Sequence, residues 1–367
     1  MELLKSVCVS ITQNNRKAVN LNLNEAQALV RAAQGLTLTE AENAFAKGIV
    51  NDGVLNGSDI SLVLKEKQQL IRKSGNLEFY PSDLKLSEVG GLQNLKHWLL
   101  LRGKAFSSQA TGFGLPSPKG VLLLGAPGCG KSLTAKAIAN SWQMPLLRLD
   151  FGKIFSGLVG SSEENMRRAL KVAEGISPAV LWIDEIEKGL AGGTSGTSDG
   201  GTGARVFGTF LTWMQEKTST VFVVATANRI DALPPELLRR GRFDEIFFMD
   251  LPTPGSRAEI LQIHLKKRNR PIEKFDINQL VSATESFSGA ELEHVIVEGL
   301  FAAYHENREL ETRDILNAIK STIPLSVTYA EELKRIREWS KTRARPADTS
   351  EKGAPSTPRA TRIEVKR

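Results

Sequence analysis

The chain has 367 residues, room for two or three domains, and its 41% hydrophobic content suits a folded protein with a sizeable core. Its net charge of +7 is uneven: Lys341 to Arg367 holds eight Lys/Arg against three Asp/Glu, and the body is close to neutral. With Cys8 and Cys129 as its two cysteines and no apolar run of about 18 residues, a disulfide scaffold, a clustered zinc site and a transmembrane helix are not expected.

The start, MELLKSVCVS, does not combine a charged segment with a long apolar one, so no secretory signal is expected. A reducing, cytoplasmic setting is expected instead, or the stroma for an organellar form. Residues 1–75 form an N-terminal helical region. LNEAQALVRAAQGL spaces its apolar residues by three and four, and LTLTEAENAFAKGIV offers Thr39 as an N-cap with Glu42 three residues on. ISLVLKEKQQLIRKSG is an amphipathic third helix stopping at Gly75.

Residues 76–255 alternate helical patterns with short apolar runs: GVLLLG, PLLRLD, AVLWIDE, TVFVVATAN and EIFFMDL. The runs are continuously apolar, as strands buried on both faces are. The expected fold class is therefore α/β, with a five-stranded parallel sheet covered by helices. Residues 256–325 lose the strands and read as a lid domain of four helices, from RAEILQIHLKKR to ETRDILNAIKS. Residues 326–367 form a basic tail whose end is rich in Pro, Ser and Thr, and disorder is expected there. Such a tail could touch nucleic acid, although a solvated tail explains the charge as well.

The clearest chemistry lies at GAPGCGKS. Gly125, Gly130, Lys131 and Ser132 match G-x-x-x-x-G-K-[ST], between a strand pattern and a helix pattern. Gly125, Ala126, Pro127, Gly128, Cys129, Gly130 and Leu133 would form a cradle whose backbone N–H groups surround phosphate oxygens, Pro127 contributing shape because it has no N–H. Lys131 would reach the β- and γ-phosphates and Ser132 would hold Mg²⁺. Cys129 reads either as a thiol activated by the helix N-terminus or as a small filler. Asp184 and Glu185 end the run AVLWIDE. Two adjacent carboxylates suit a cation and a polarised water better than a structural pair, so Asp184 would hold Mg²⁺, directly or through water, and Glu185 would orient and polarise the attacking water, an ordinary solvated strand end being the other reading. Asn228 ends TVFVVATAN, where it could position water. Arg239 and Arg242 could stabilise phosphoryl charge across a subunit boundary, or be ordinary surface arginines.

These parts, in this order from about Leu84 to Lys320, resemble the AAA+ ATPases, in the branch of proteasomal and membrane-protease ATPases. LSEVGGLQNLKHWL resembles the adenine-side segment, giving Val89 and Gly90. GAPGCGKS and LWIDE resemble Walker A and B, ATAN resembles sensor 1, and LLRRGRFDE resembles the arginine-finger segment. FSGAELEHV resembles the start of the lid helix, giving Gly289 and Ala290. TEAENAFAKGIV and KEKQQLIRKSGNLEFY bring the chain closest to a subgroup known as a hypothetical chloroplast reading frame of algal plastids and cyanobacteria. The resemblance implies ATP and Mg²⁺ as ligands, ATP hydrolysis, a homo-oligomer expected as a hexameric ring, a protein partner, and a link to photosynthesis or inorganic-carbon use. It also implies a nucleotide-switched scaffold as the other reading, because the pore segment holds Leu158, Val159 and Gly160 where many relatives place an aromatic residue. A second pore segment would run from Leu190 to Arg205, with Arg205 able to reach a neighbouring subunit. The four histidines, His97, His264, His294 and His305, have no evident partner in the sequence.

Overall fold

The computed structural model describes residues 21–33, 36, 38–63, 65, 76–155, 161–191, 202–239 and 241–349. Among the described residues the first helices are α1 (Leu23–Ala33) and α2 (Leu38–Asp52). Leu29, Phe45, Leu55 and Val63 close a small core of their own around them. Helix α2 starts one residue ahead of Thr39, which therefore lies in the first turn and not at the cap. Residues 60–63 are helical as expected, while 66–75, with the Gly75 stop, fall outside the described residues.

The α/β body holds β1 (Leu77–Tyr80), α3 (Gln93–Gly103), β2 (Gly120–Gly125), α4 (Lys131–Ser141), β3 (Leu146–Leu149), α5 (Ser162–Gly175), β4 (Ala179–Ile183), α6 (Thr202–Glu216), β5 (Val221–Ala227) and β6 (Glu245–Met249). The lid follows as α7 (Pro254–Lys267), α8 (Ile277–Ala283), α9 (Gly289–His305) and α10 (Thr312–Ser321), and then come α11 (Ala330–Arg343) and β7 (Arg345–Pro346).

All five expected strands are present and parallel, in the order β3-β4-β5-β2-β6. Among the described residues the sheet nonetheless has seven strands, because β1 adds antiparallel to β3 at one edge and β7 adds parallel to β6 at the other. Both additions escape a pattern reading for physical reasons. Strand β1 buries only its first residue fully, and β7 is two residues long and ends in a proline that cannot donate to a ladder.

Alternate side chains of each central strand go to opposite faces. Leu122, Leu124, Leu181, Ile183 and Val223 join one core with Met166 of α5 and Phe210 of α6. Val121, Leu123, Val180, Trp182 and Phe222 join the other with Leu95 of α3 and Ile138 of α4. Burying one such side chain contributes about 1.5–3 kcal/mol. The lid has a separate core, with Leu261, Leu280, Leu292 and Ile315 fully buried.

The tail expectation needs correction. Residues 330–346 are helix and strand, Ile336 enters the α5/α6 core, and Ala347 is 1% exposed in the other. Charge and low hydrophobicity hid an amphipathic stripe of Leu333, Ile336 and Ser340, spaced by three and four. Residues 350–367 lie outside the described residues.

Candidate functional site

Strand β2 leads through a tight loop into α4. Gly128 and Gly130 sit at φ +77° and +86°, where a side chain would be strained. Gly125 permits a close approach: a Cβ there would stand 2.1 Å from the Met249 carbonyl oxygen. Lys131 is 6% exposed. Its Nζ donates to the carbonyls of Gly125 at 2.8 Å and Ala126 at 2.7 Å, so the loop closes on its own lysine. Burial pushes the Lys131 pKa below its ordinary value.

The ends of β4 and β5 bring a polar network to the same place. Ser132 Oγ and Thr226 Oγ1 both donate to Asp184 Oδ1, at 2.8 and 2.7 Å. Thr226 Oγ1 also accepts from the Glu185 N–H at 2.8 Å, so one hydroxyl fixes both carboxylate residues. Glu185 is held at φ +50°, which costs a non-glycine residue about 1–2 kcal/mol. Asn228 Nδ2 donates to Glu185 Oε1 at 2.7 Å, and Lys188 pairs with the other oxygen. Beneath them the Asn228 N–H donates to Glu187 Oε1 at 2.8 Å. Glu187 is 7% exposed, and desolvation raises its pKa.

The lid docks on the loop through backbone. The Ala290 N–H donates to the Gly128 carbonyl at 3.1 Å, and a Cβ on Gly289 would meet that oxygen at 3.2 Å. On the other wall Gly90 lies against Ile260 of α7, where a Cβ would come within 2.5 Å of Ile260 Cγ1. The Gly91 N–H donates to Glu259 Oε2 at 2.8 Å.

Together these surfaces enclose a cleft of about 520 Å³. Val89, Gly90, Pro127, Gly128, Cys129, Gly130, Lys131, Ser132, Leu133, Asp184, Glu185, Asn228, Gly289 and Ala290 all line it. Gly125 and Ala126 sit behind the loop, contributing the carbonyls that hold Lys131. Arg239 and Arg242 do not line the cleft. Arg239 is exposed, and the Arg242 guanidinium donates to the Glu236 carbonyl of its own chain. Arg205, which could reach a neighbouring subunit, pairs within its own chain with Glu163 at 2.9 Å. Leu158, Val159 and Gly160, and residues 192–201 of the second pore segment, lie outside the described residues.

Cys129 runs against one of its two readings. Burial pushes its thiol up to about 11, above the activated range, which favours the small-filler reading. Several cleft residues were not anticipated. Thr226 carried a signal, being the polar residue of an apolar strand and two positions from Asn228, hence on the same face. His264 and Glu293 carried none. They meet only because α7 packs on α9, placing His264 Nδ1 3.4 Å from Glu293 Oε1 beside Arg268. Pro346, Asp348 and Thr349 reach the cleft through the unexpected C-terminal strand.

A loop of N–H donors beside a buried lysine, two oxygen donors suited to a hard cation and a carboxylate lining the cleft is chemistry for nucleoside triphosphates. Known proteins agree with it. Residues 121–251 match the family model for the ATPase family associated with various cellular activities, 274–317 the AAA+ lid domain, and 2–74 the SpoVK-like AAA ATPase, second domain. The ycf46 AAA domain-containing protein of Pyropia yezoensis is 48% identical over 327 residues, covering 88% of this chain and 66% of its own length. That of Guillardia theta is 50% identical over 313 residues, covering 85% and 62%. The chain thus spans less than two thirds of these two relatives. The proteasome-activating nucleotidase of Saccharolobus islandicus is 31% identical over 339 residues, covering 86% of this chain and 83% of its own. The chain belongs to the AAA ATPase family.

Proposed function

We propose that the chain hydrolyses ATP to ADP and phosphate in this cleft and, as part of an oligomeric ring, uses the turnover to remodel a protein partner. The observation that carries the hydrolytic reading is the meeting of Lys131, Ser132, Asp184, Glu185 and Asn228 in one cleft. Loop N–H groups and the N-terminus of α4 would receive the β- and γ-phosphates, and Lys131 would exchange its two carbonyls for phosphate oxygens. Ser132 Oγ and Asp184 Oδ1 are hard oxygen donors 2.8 Å apart, a fit to Mg²⁺, which would neutralise phosphate charge when bound. Glu185, oriented by Asn228, takes the proton of the attacking water. The new bond forms at the γ-phosphorus, the bond to the β–γ bridging oxygen breaks, and ADP leaves with the electron pair.

Arg239 and Arg242 stand off the cleft, as groups acting on a neighbouring subunit would. Head-to-tail contact of that kind closes into a ring, a hexamer by resemblance. Exposed apolar side chains support burial in such an assembly: Leu100 of α3 at 64%, Phe301 at 67% and Tyr304 at 82% of α9. Glu185→Gln should keep ATP binding and lose roughly 100-fold or more in kcat. Full hydrolysis by that variant removes Glu185 from its role. The same variant, loaded with ATP, is the bait for a partner.

Leu158 in place of a pore aromatic favours a second reading, a slowly turning nucleotide-switched scaffold. Turnover that no protein partner stimulates, with partner binding that depends on ATP, would select it. A plastid stroma location and a tie to photosynthesis rest on the ycf46 resemblance alone.

A further inference from the structure

Helix α11 returns the chain from the lid to the body. Its Ile336 enters the core, and Arg337 clamps Asp250 through Nε and one terminal nitrogen at 2.8–3.0 Å. Beyond the helix the chain runs along the free edge of β6, Phe248 opposite Pro346. The Ala347 N–H then donates to the Phe248 carbonyl at 2.9 Å. This short strap is held by more than the sheet. The Leu95 N–H donates to the Ala347 carbonyl at 3.0 Å, and Asn94 Nδ2 donates to the carbonyls of Pro346 at 3.2 Å and Asp348 at 2.9 Å.

Asp348 makes the connection that matters for ligand. Its Oδ1 accepts from the Gln93 N–H at 3.3 Å, at the start of α3 in the body. Its Oδ2 accepts from Ser256 Oγ, in the first turn of α7 in the lid. One carboxylate therefore joins two helix N-termini, where negative charge is favoured, across the boundary between body and lid. The space is closely filled: a Cβ on Gly91 would stand 2.8 Å from Asp348 Oδ2 and 2.5 Å from Ser256 Oγ. Pro346, Asp348 and Thr349 line the same cleft as Val89, Gly90 and Ile260. The phosphate loop occupies the other part of that cleft, so the strap borders the nucleoside end.

We propose that residues 345–349 form a clasp over the nucleoside end of the cleft, with Asp348 as a positioning residue that sets the body-to-lid spacing into which base and ribose fit. The inference rests on reading the cleft as the ATP site. Asp348 takes no part in bond making. Its effect falls on how well ATP is held, because the bonds of Gln93 and Ser256 to the carboxylate act beside the Gly91–Glu259 bond to set the spacing of the walls at Val89–Gly90 and Ile260.

The test is a double-mutant cycle on the full chain, with Asp348→Ala and Ser256→Ala, read as KM and kcat for MgATP hydrolysis. Asp348→Ala should raise KM for ATP about tenfold, a larger change than in kcat. Ser256→Ala should raise KM by less, and the double variant should be no worse than Asp348→Ala alone. Asp348→Asn keeps an acceptor for the Gln93 N–H and should recover part of the loss. It also carries the comparison if Asp348→Ala does not fold. Additive effects of the two single changes, or a fall confined to kcat, would overturn the clasp. Lys131→Ala separates the two readings: ATP binding unaffected by that change sinks the site itself, whereas a failed cycle beside a lost Lys131→Ala affinity sinks the clasp alone.

Discussion

Asn228 donates its side-chain amide to Glu185 Oε1 at 2.7 Å while its backbone N–H donates to Glu187 Oε1 at 2.8 Å. The end of β5 thus holds two carboxyl groups of the β4 end at once, one facing the cleft and one beneath it. In the proposed reaction this fixes where Glu185 can meet a water. Replacing Asn228 with Ala should leave ATP binding in place and lower kcat roughly 100-fold, as loss of an aligned polar group in a preorganised site does. Steady-state hydrolysis beside direct nucleotide titration checks it; a parallel loss of affinity would assign Asn228 to binding instead.

Thr226 is fully buried and its hydroxyl serves Asp184 and Glu185 together. Thr226→Val keeps the shape and removes both bonds. The expected loss of stability is about 1–3 kcal/mol, since one partner is a carboxylate. Urea unfolding measures that, and hydrolysis should fall alongside it because Glu185 loses the bond that helps hold its positive φ.

Glu187 gives a pH signature with a definite sign. Desolvation raises its pKa in the fold above the ordinary 4.5. A carboxyl raised on folding binds its proton more tightly in the native state, so its contribution is fully present below pH 4.5 and is lost as pH rises through the higher folded value. Glu187→Gln keeps an acceptor for the Asn228 N–H and cannot ionise. The stability of the variant relative to the parent should therefore increase between pH 5 and pH 8 as measured by denaturant midpoints. A difference flat with pH would mean that burial does not control this group.

Cys129 lines the cleft, yet its thiol is pushed up to about 11 by burial. In a Cys8→Ser background, alkylation at pH 8 should be much slower than for an unfolded control, because the thiolate is the nucleophile. Rate should climb only as pH approaches 11. Rapid alkylation at neutral pH would restore the activated-thiol reading.

Much of this molecule was legible in order of elements alone. Five strands announce themselves because a parallel strand buried on both faces must be apolar throughout, as Val121–Leu124 and Val221–Ala225 are. The phosphate loop is legible because its glycines answer a local demand, positive φ at Gly128 and Gly130. Asp184, Glu185 and Asn228 stand out as polar residues at the ends of such strands, where a parallel sheet collects its loops.

Other features depend on partners distant in sequence. His264 meets Glu293 only through the contact of two lid helices, and Arg205 finds Glu163 only through the contact of α6 with α5. The C-terminal segment shows the divide most plainly. Its composition spoke for disorder, because charged residues outnumber apolar ones there, yet Ile336, Ala347 and Asp348 each find a waiting site in the body or lid. By itself the sequence determined which residues are candidates to handle phosphate, since those requirements are local and tied to residue type. Tertiary structure alone decided what closes the cleft beside Val89 and Gly90, since a carboxylate shared between the Gln93 N–H and Ser256 joins segments more than 90 residues apart that no periodicity connects.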